Sequence, residues 1–473
     1  MDIYPEYGKV LALKNETHPQ FEVSEDGIDA QVSLQSLCDH TVSRILADED
    51  VWEAVKRDGG NGLNHLTFVP KIGYDGSGLH PMFKQVGSNI GNDRSTLGAW
   101  FCALQLLGTD IHGNEVVYYH NALCLSASSV RPLRLWNVKE TNDTIMDMQQ
   151  WIDDQVKALV PKRFGDVCVV YYRIINSMVD QKVVLEVNDI GSTQRCPCCG
   201  KTHAEWILCT VDTDGYLNLN HKIFEDLQIS ITHFGINAWS HVIKLGIRMP
   251  FGKYRLSAKD EEAAKIREQF IKDEFSKKHG ILVNYVKEGQ GSSNDGNSAR
   301  DGLGNAEASS KILGVPFEII DGLDIIWGTL KAMIRMKPAL VKARCDAFRE
   351  LYYEKIPWGQ LPPSVHKVVD HGYRFFEHVP KTMAMGMISE ENLEASHKTV
   401  RNDELYHSRQ FSRKERVSDV FQRKLDASDP VVLAPALADH RNRRNSTPYR
   451  PEVLAMAEIP DPIQPVEEME IDN

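Results

Sequence analysis

No apolar run in this chain approaches the eighteen or so residues that a membrane-spanning helix needs. The first residues, MDIYPEYGKVLALKNE, lack the charged-then-apolar layout of a secretory signal. There is no internal repeat. Basic residues are in the minority, 54 against 66 acidic, for a net charge of −12. That argues against a general nucleic-acid coat. Cysteine is sparse, nine in 473 residues, and the number is odd. A disulfide framework is therefore not expected, and reduced thiols in cytosol or nucleus are. No membrane partner is expected.

What is present is uneven. Three of the nine cysteines fall in "QRCPCCGK", as Cys196, Cys198 and Cys199. A Cys-x-x-Cys pair suits tetrahedral zinc, but two ligands do not close a structural site. His203 or Cys209 could complete a local ribbon; more distant histidines could complete a long-range one. Charge is segregated too. Eight Lys/Arg face four Asp/Glu from Lys398 to Lys424, while Pro451 to Asn473 holds seven acidic residues and no Lys or Arg. Local basic stripes can bind phosphate on an acidic whole.

Along the chain, residues 1–60 form a polar N-terminal segment with a helical stretch. From residue 61 to 200 the pattern changes. "NHLTFVPKIGYDGSG", "STLGAWFCALQLLG" and "NEVVYYHNALCLS" read as strands. "TNDTIMDMQQWIDDQVKALV" reads as a helix capped by Thr141, and "GDVCVVYYRII" as a buried strand. Residues 201–380 read as a mostly helical insertion. "EGQGSSNDGNSARDGLGN" interrupts it and reads as a flexible loop. Residues 381–430 read as helical again, and 431–473 as a disordered acidic tail.

The order β-β-β-α-β opens an RNase H-like catalytic domain. The expected fold class is therefore α/β, an RNase H-like core with a large helical insertion. Such domains hold divalent metals with carboxylates from the first strand, the fourth strand and a late helix. Asp75 ends the first strand, Asp180 follows the fourth, and Glu394 lies on the late helix. Taken singly, each has an ordinary reading, as turn residue or solvated helix face. Spacing alone does not select three among 66 carboxylates.

"DGSGLHPMFKQ", "STQRCPCCGKT", "NDGNSAR", "SVHKVVDHG", "SEENLEASHK" and "SRQFSRKERVSDVFQRKLDASDP" occur in this order. Together they resemble the Transib DDE transposases and, more distantly, the catalytic core of the V(D)J recombination-activating recombinase, over roughly residues 60–430. The resemblance implies Asp75, Asp180 and Glu394 as catalytic carboxylates for Mg²⁺ or Mn²⁺, with Glu390 and Glu391 as rivals to Glu394. It implies a structural Zn²⁺ held by Cys196, Cys199, His366 and His371, closing the insertion. It implies phosphate contacts from Arg300 in the loop, and the basic helix offers Arg409, Arg413, Lys414 and Arg416. The implied partners are double-stranded DNA, as transposon ends and target, and a second copy of the chain in a homodimer. The implied location is nuclear. The family carries more chain before its core than the 60 or so residues found here, and its Asn-Lys after the catalytic Glu is His397-Lys398 in this sequence.

Overall fold

The computed structural model describes residues 6–60, 62–78, 80, 94–207, 219–284, 294–442 and 448–458. Among them, nine strands form one curled, mixed sheet: β1 (Glu22–Val23), β2 (Asp29–Gln31), β3 (Asn64–Gly78), β4 (Ser95–Thr109), β5 (Glu115–His120), β6 (Arg131–Trp136), β7 (Lys162–Phe164), β8 (Cys168–Tyr172) and β9 (Ile175–Met178). The order is β1-β2-β6-β4-β3-β8-β7, with β5 on β4 and β9 on β3. β3 runs antiparallel to β4 and parallel to both β8 and β9. β4 is buried at all but its end positions, so both faces of the sheet are covered at its centre. Pro70 sits at a bulge between β3 and β4, a place where a strand tolerates a residue without an N–H.

Strands stand where the sequence reads them, although "GDVCVVYYRII" is divided between β8 and β9 and exposes Tyr171, and the helix Asn142–Lys157 is found. Its Thr141 makes a reciprocal capping box with Thr144. This helix covers one face of the sheet, where Tyr74 donates to the Gln149 side chain at 3.0 Å. The N-terminal segment holds the helices Tyr7–Asn15, Leu34–Leu46 and Glu49–Gly59, and its β1 and β2 also extend the sheet beyond β6. β6 itself escaped notice because "RPLRLW" mixes Pro and Arg into its apolar pattern.

The insertion between β9 and the Glu394 helix is helical, with long members at Ile231–Arg248, Phe317–Lys331, Pro338–Lys355 and Pro363–His378. Here the expected loop is partly a correction. Residues 285–293 lie outside the described residues, but Gly296–Gly304 is a helix with a capping box between Asp295 and Ser298. The expected disordered tail is a second correction. Pro430–Asn442 is helical. Beyond it, Arg450 bonds Asp321 and Asp324 at 2.8 and 2.9 Å, and Val453 and Met456 are buried. These contacts are polar and apolar anchors that composition alone does not reveal. Residues after 458 lie outside the described ones. Buried apolar side chains of the sheet and the helices make one contiguous core.

Candidate metal centres

Beyond the Pro70 bulge, alternate residues of β3 share a face. Lys71, Gly73, Asp75 and Ser77 form one such row. A Cβ on Gly73 would stand 1.9 Å from the Met178 carbonyl oxygen, so only glycine lets β9 come this close. That approach brings the end of β9, and Asp180 just after it, beside Asp75. Asp180 caps the helix Gln181–Val187, accepting from the Val183 N–H at 2.8 Å. Glu394 comes from the first turn of the helix Glu391–Tyr406.

Ligand atoms of Asp75, Glu394 and His397 lie within 4.8 Å of one another. Asp180 is close enough to act electrostatically on both carboxylates. Burial pushes the Asp75 carboxyl well above the usual range, and the charges of Glu394 and Asp180 push it further. Burial likewise raises Asp180, against the lowering bond from Val183. Burial raises Glu394, with His233 opposing. Carboxylates crowded in this way favour a cation between them, and oxygen donors suit a hard one. Burial, with Arg401 and His80 next, lowers His397 to about 3, which keeps its imidazole neutral and able to ligate.

His233 bridges the group. Its Nδ1 is 3.2 Å from Glu390 and its Nε2 3.4 Å from Glu394. Burial opposes its charge, yet the Glu390 hydrogen bond and the surrounding carboxylates hold it up at about 10. Glu390 has other work. It is buried and accepts from the N–H groups of Ile231, Thr232 and His233 at 2.9–3.2 Å. Those are orphan donors at the start of the helix Ile231–Arg248. Glu390 is therefore a helix cap reached through space, and Glu391 pairs with Arg300 at 3.3 Å. His397 lies one helical turn after Glu394, a spacing that could have flagged it. Nothing in the sequence near His233 points to Glu394.

The second cluster joins Cys196, Cys199, His366 and His371, whose ligand atoms also lie within 4.8 Å of one another. The knuckle is a tight turn, closed by Gly200 N–H to the Cys196 carbonyl, with Gly200 at φ 67°. The two histidines come from Pro363–His378 and are almost wholly buried. Cys199 Sγ and His366 Nε2 stand 3.5 Å apart. The edge of a tetrahedron with a metal–sulfur bond of about 2.3 Å and a metal–nitrogen bond of about 2.0–2.1 Å is roughly 3.6 Å. The Nδ1 of His366 is 3.1 Å from Asp370, a carboxylate that favours a proton on that nitrogen. The Trp206 ring stacks on His366 with centroids 4.0 Å apart. Sulfur and imidazole donors in a closed set can hold a metal ion. His203 packs against Trp206 outside the cluster. Cys198 is buried and its thiol hydrogen-bonds that of Cys196, but it is not one of the four clustered ligands. Cys209 lies outside the described residues.

The basic residues divide. Arg300 is half exposed on its helix, beside Glu391. Arg409 lies against Asp419 at 2.7 Å and against Glu415. Lys414 pairs with Glu25 at 2.8 Å. Arg413 and Arg416, expected on a solvated DNA-facing surface, are instead interior side chains. The helix Arg413–Ala427 buries Arg413, Arg416, Val417, Val420, Phe421, Lys424 and Leu425. Those positions recur at three and four residues, one stripe of a helix packed on the core. The two arginines belong to the stripe, not to the face opposite it.

No family model matches the chain, and no curated protein matches its sequence.

Proposed function

We propose that the chain is a metal-dependent DNA strand-cutting and strand-joining enzyme with an RNase H-like core, a transposase of the Transib type. One observation carries the reading. Three carboxylates separated by more than 300 residues come from a central strand, the end of its parallel neighbour and a late helix, and crowd one another. The order of the six motifs supports the same reading. The cofactors are Mg²⁺ or Mn²⁺ at Asp75, Asp180 and Glu394, and Zn²⁺ at Cys196, Cys199, His366 and His371. The partner is double-stranded DNA in the nucleus, and two ends call for two copies of the chain.

Bound divalent ions would activate the attacking oxygen and offset charge on the leaving one. Asp75, Asp180 and Glu394 supply hard oxygen donors. His233 orients Glu394 by holding one of its oxygens, and Glu390 orients His233. At the strand end Gly76 makes room for Glu140: a Cβ there would stand 2.2 Å from its carboxylate. Water is the first attacking group, and the freed 3′-hydroxyl is the second.

Asp75→Asn, Asp180→Asn and Glu394→Gln should each abolish Mg²⁺- or Mn²⁺-dependent nicking of plasmid DNA while DNA binding persists. Glu390→Gln should instead lower stability, by about 1–2 kcal/mol for a weakened helix cap. A Glu394→Gln protein that cuts at the wild-type rate would sink the reading.

A further inference from the structure

We propose that Lys71 is a positioning residue that pins the start of the Glu394 helix to β3 and so sets the distance between Asp75 and Glu394. This rests on the metal-centre reading above. Lys71 is wholly buried, two strand repeats before Asp75 in the same row. Its Nζ donates to the Ser389 carbonyl oxygen at 2.6 Å. On β9, the buried Ser177 donates its hydroxyl to the Ile388 carbonyl at 2.9 Å. Thus the strand that carries Asp75 and the strand that leads to Asp180 each grip one of two consecutive carbonyls. Those carbonyls lie at the bend where the chain turns into the helix Glu391–Tyr406.

The helix is held at its far end as well. His80 Nδ1 is 2.7 Å from Glu404, and Arg401 donates to the Gly78 carbonyl at 3.0 Å. Between the fastenings the strand runs from Lys71 to Gly78, roughly 23 Å at about 3.3 Å per residue. The chain opposite runs from Ser389 to Arg401, about 18 Å at 1.5 Å per residue. Helix and strand are therefore fastened to each other at both ends, with Asp75 and Glu394 between the fastenings. A register slip at the Lys71 end would carry Glu394 away from Asp75.

The residue type fits a positional role. A buried ammonium is costly to desolvate, and a methionine would fill similar space without that cost. What methionine lacks is a charged donor for a main-chain carbonyl. Such bonds are directional and stronger than neutral ones.

The test uses the full chain with Lys71→Met and, separately, Ser177→Ala. Two quantities are read: amide hydrogen exchange across residues 388–396, and Mn²⁺ affinity by titration, with Asp75→Asn marking the signal that belongs to the carboxylates. Lys71→Met should keep metal at the Cys/His cluster, speed exchange in 388–396 at least tenfold, and weaken Mn²⁺ binding about tenfold, as loss of an outer-shell contact does. Ser177→Ala should move both quantities the same way by about threefold, and it decides the matter if Lys71→Met does not fold. Wild-type Mn²⁺ affinity in a folded Lys71→Met protein overturns the proposal, whatever the exchange rate. If Asp75→Asn leaves the wild-type Mn²⁺ signal intact, the metal reading fails. Unchanged exchange in 388–396 would then overturn the pinning role on its own.

Discussion

Lys424 belongs to the basic run that reads as a solvated stripe, yet it is buried and donates to Thr399 Oγ1 at 2.7 Å. Burial lowers it to about 8, against the opposing pull of Asp403. The unfolded value is about 10.4. Between the two, the unfolded chain binds the proton more readily, so this group's contribution to stability rises with pH over that window. Below pH 8 the folded state bears the full cost of a buried charge. Wild-type protein should therefore gain about 2 kcal/mol on a Lys424→Met variant between pH 7.5 and 9.5. Urea unfolding at both values measures this, and a constant difference would refute it. Glu390 carries a related lesson. It and Glu394 share a helical face one turn apart, and the sequence leaves their roles interchangeable. The N-terminus of a helix more than 150 residues earlier engages one and leaves the other toward Asp75.

At the scale of elements, β3 and β9 are held together by the absence of a side chain. In "GYDGSG", Gly73 makes room for a strand. Gly73→Ala should push β9 and Asp180 away from Asp75. The expected outcome is loss of cutting, with stability lower by about 1–3 kcal/mol from overpacking. Gly78→Ala has open space at its Cβ and is the control that should fold and cut. Equal activity of the two variants would mean that β9 can retreat without cost to the site. The helix Arg413–Ala427 shows the opposite case, since its burial stripe was legible in the spacing of Val417, Val420 and Phe421. Extending that spacing by one turn toward the N-terminus reaches Arg413, which is why charge alone misplaced it.

Over the whole molecule, the Cys/His cluster ties the chain just after Asp180 to the helix just before the Glu394 segment. About 170 residues separate the two halves of that cluster. Burial holds the Cys196 thiol well up, and its bond with Cys199 does the same to that thiol. A metal must therefore displace protons, so affinity should rise with pH. Cys199→Ser or His371→Ala should lose bound metal and soluble protein together, whereas His203→Ala should keep both. Metal content by atomic absorption on the three purified variants decides it. Loss of metal in His203→Ala alone would replace the long-range closure with a local ribbon.

The sequence by itself determined the main strands of the core, the helix Asn142–Lys157 and the donor types, but not β1, β2, β6 or the helices Gly296–Gly304 and Pro430–Asn442. Strand and helix spans followed from periodicity, caps such as Thr141 from local hydrogen bonding, and the thiolate knuckle from a four-residue spacing. Each of these is a short-range property, set by neighbours within a turn or two. The tertiary structure alone decided that Glu390 caps a distant helix, that His233 stands between two glutamates, and that Lys71 lies inside against Ser389. A residue's own periodicity reports whether it faces a core. What stands opposite it there depends on contacts across hundreds of residues, and no local pattern encodes them.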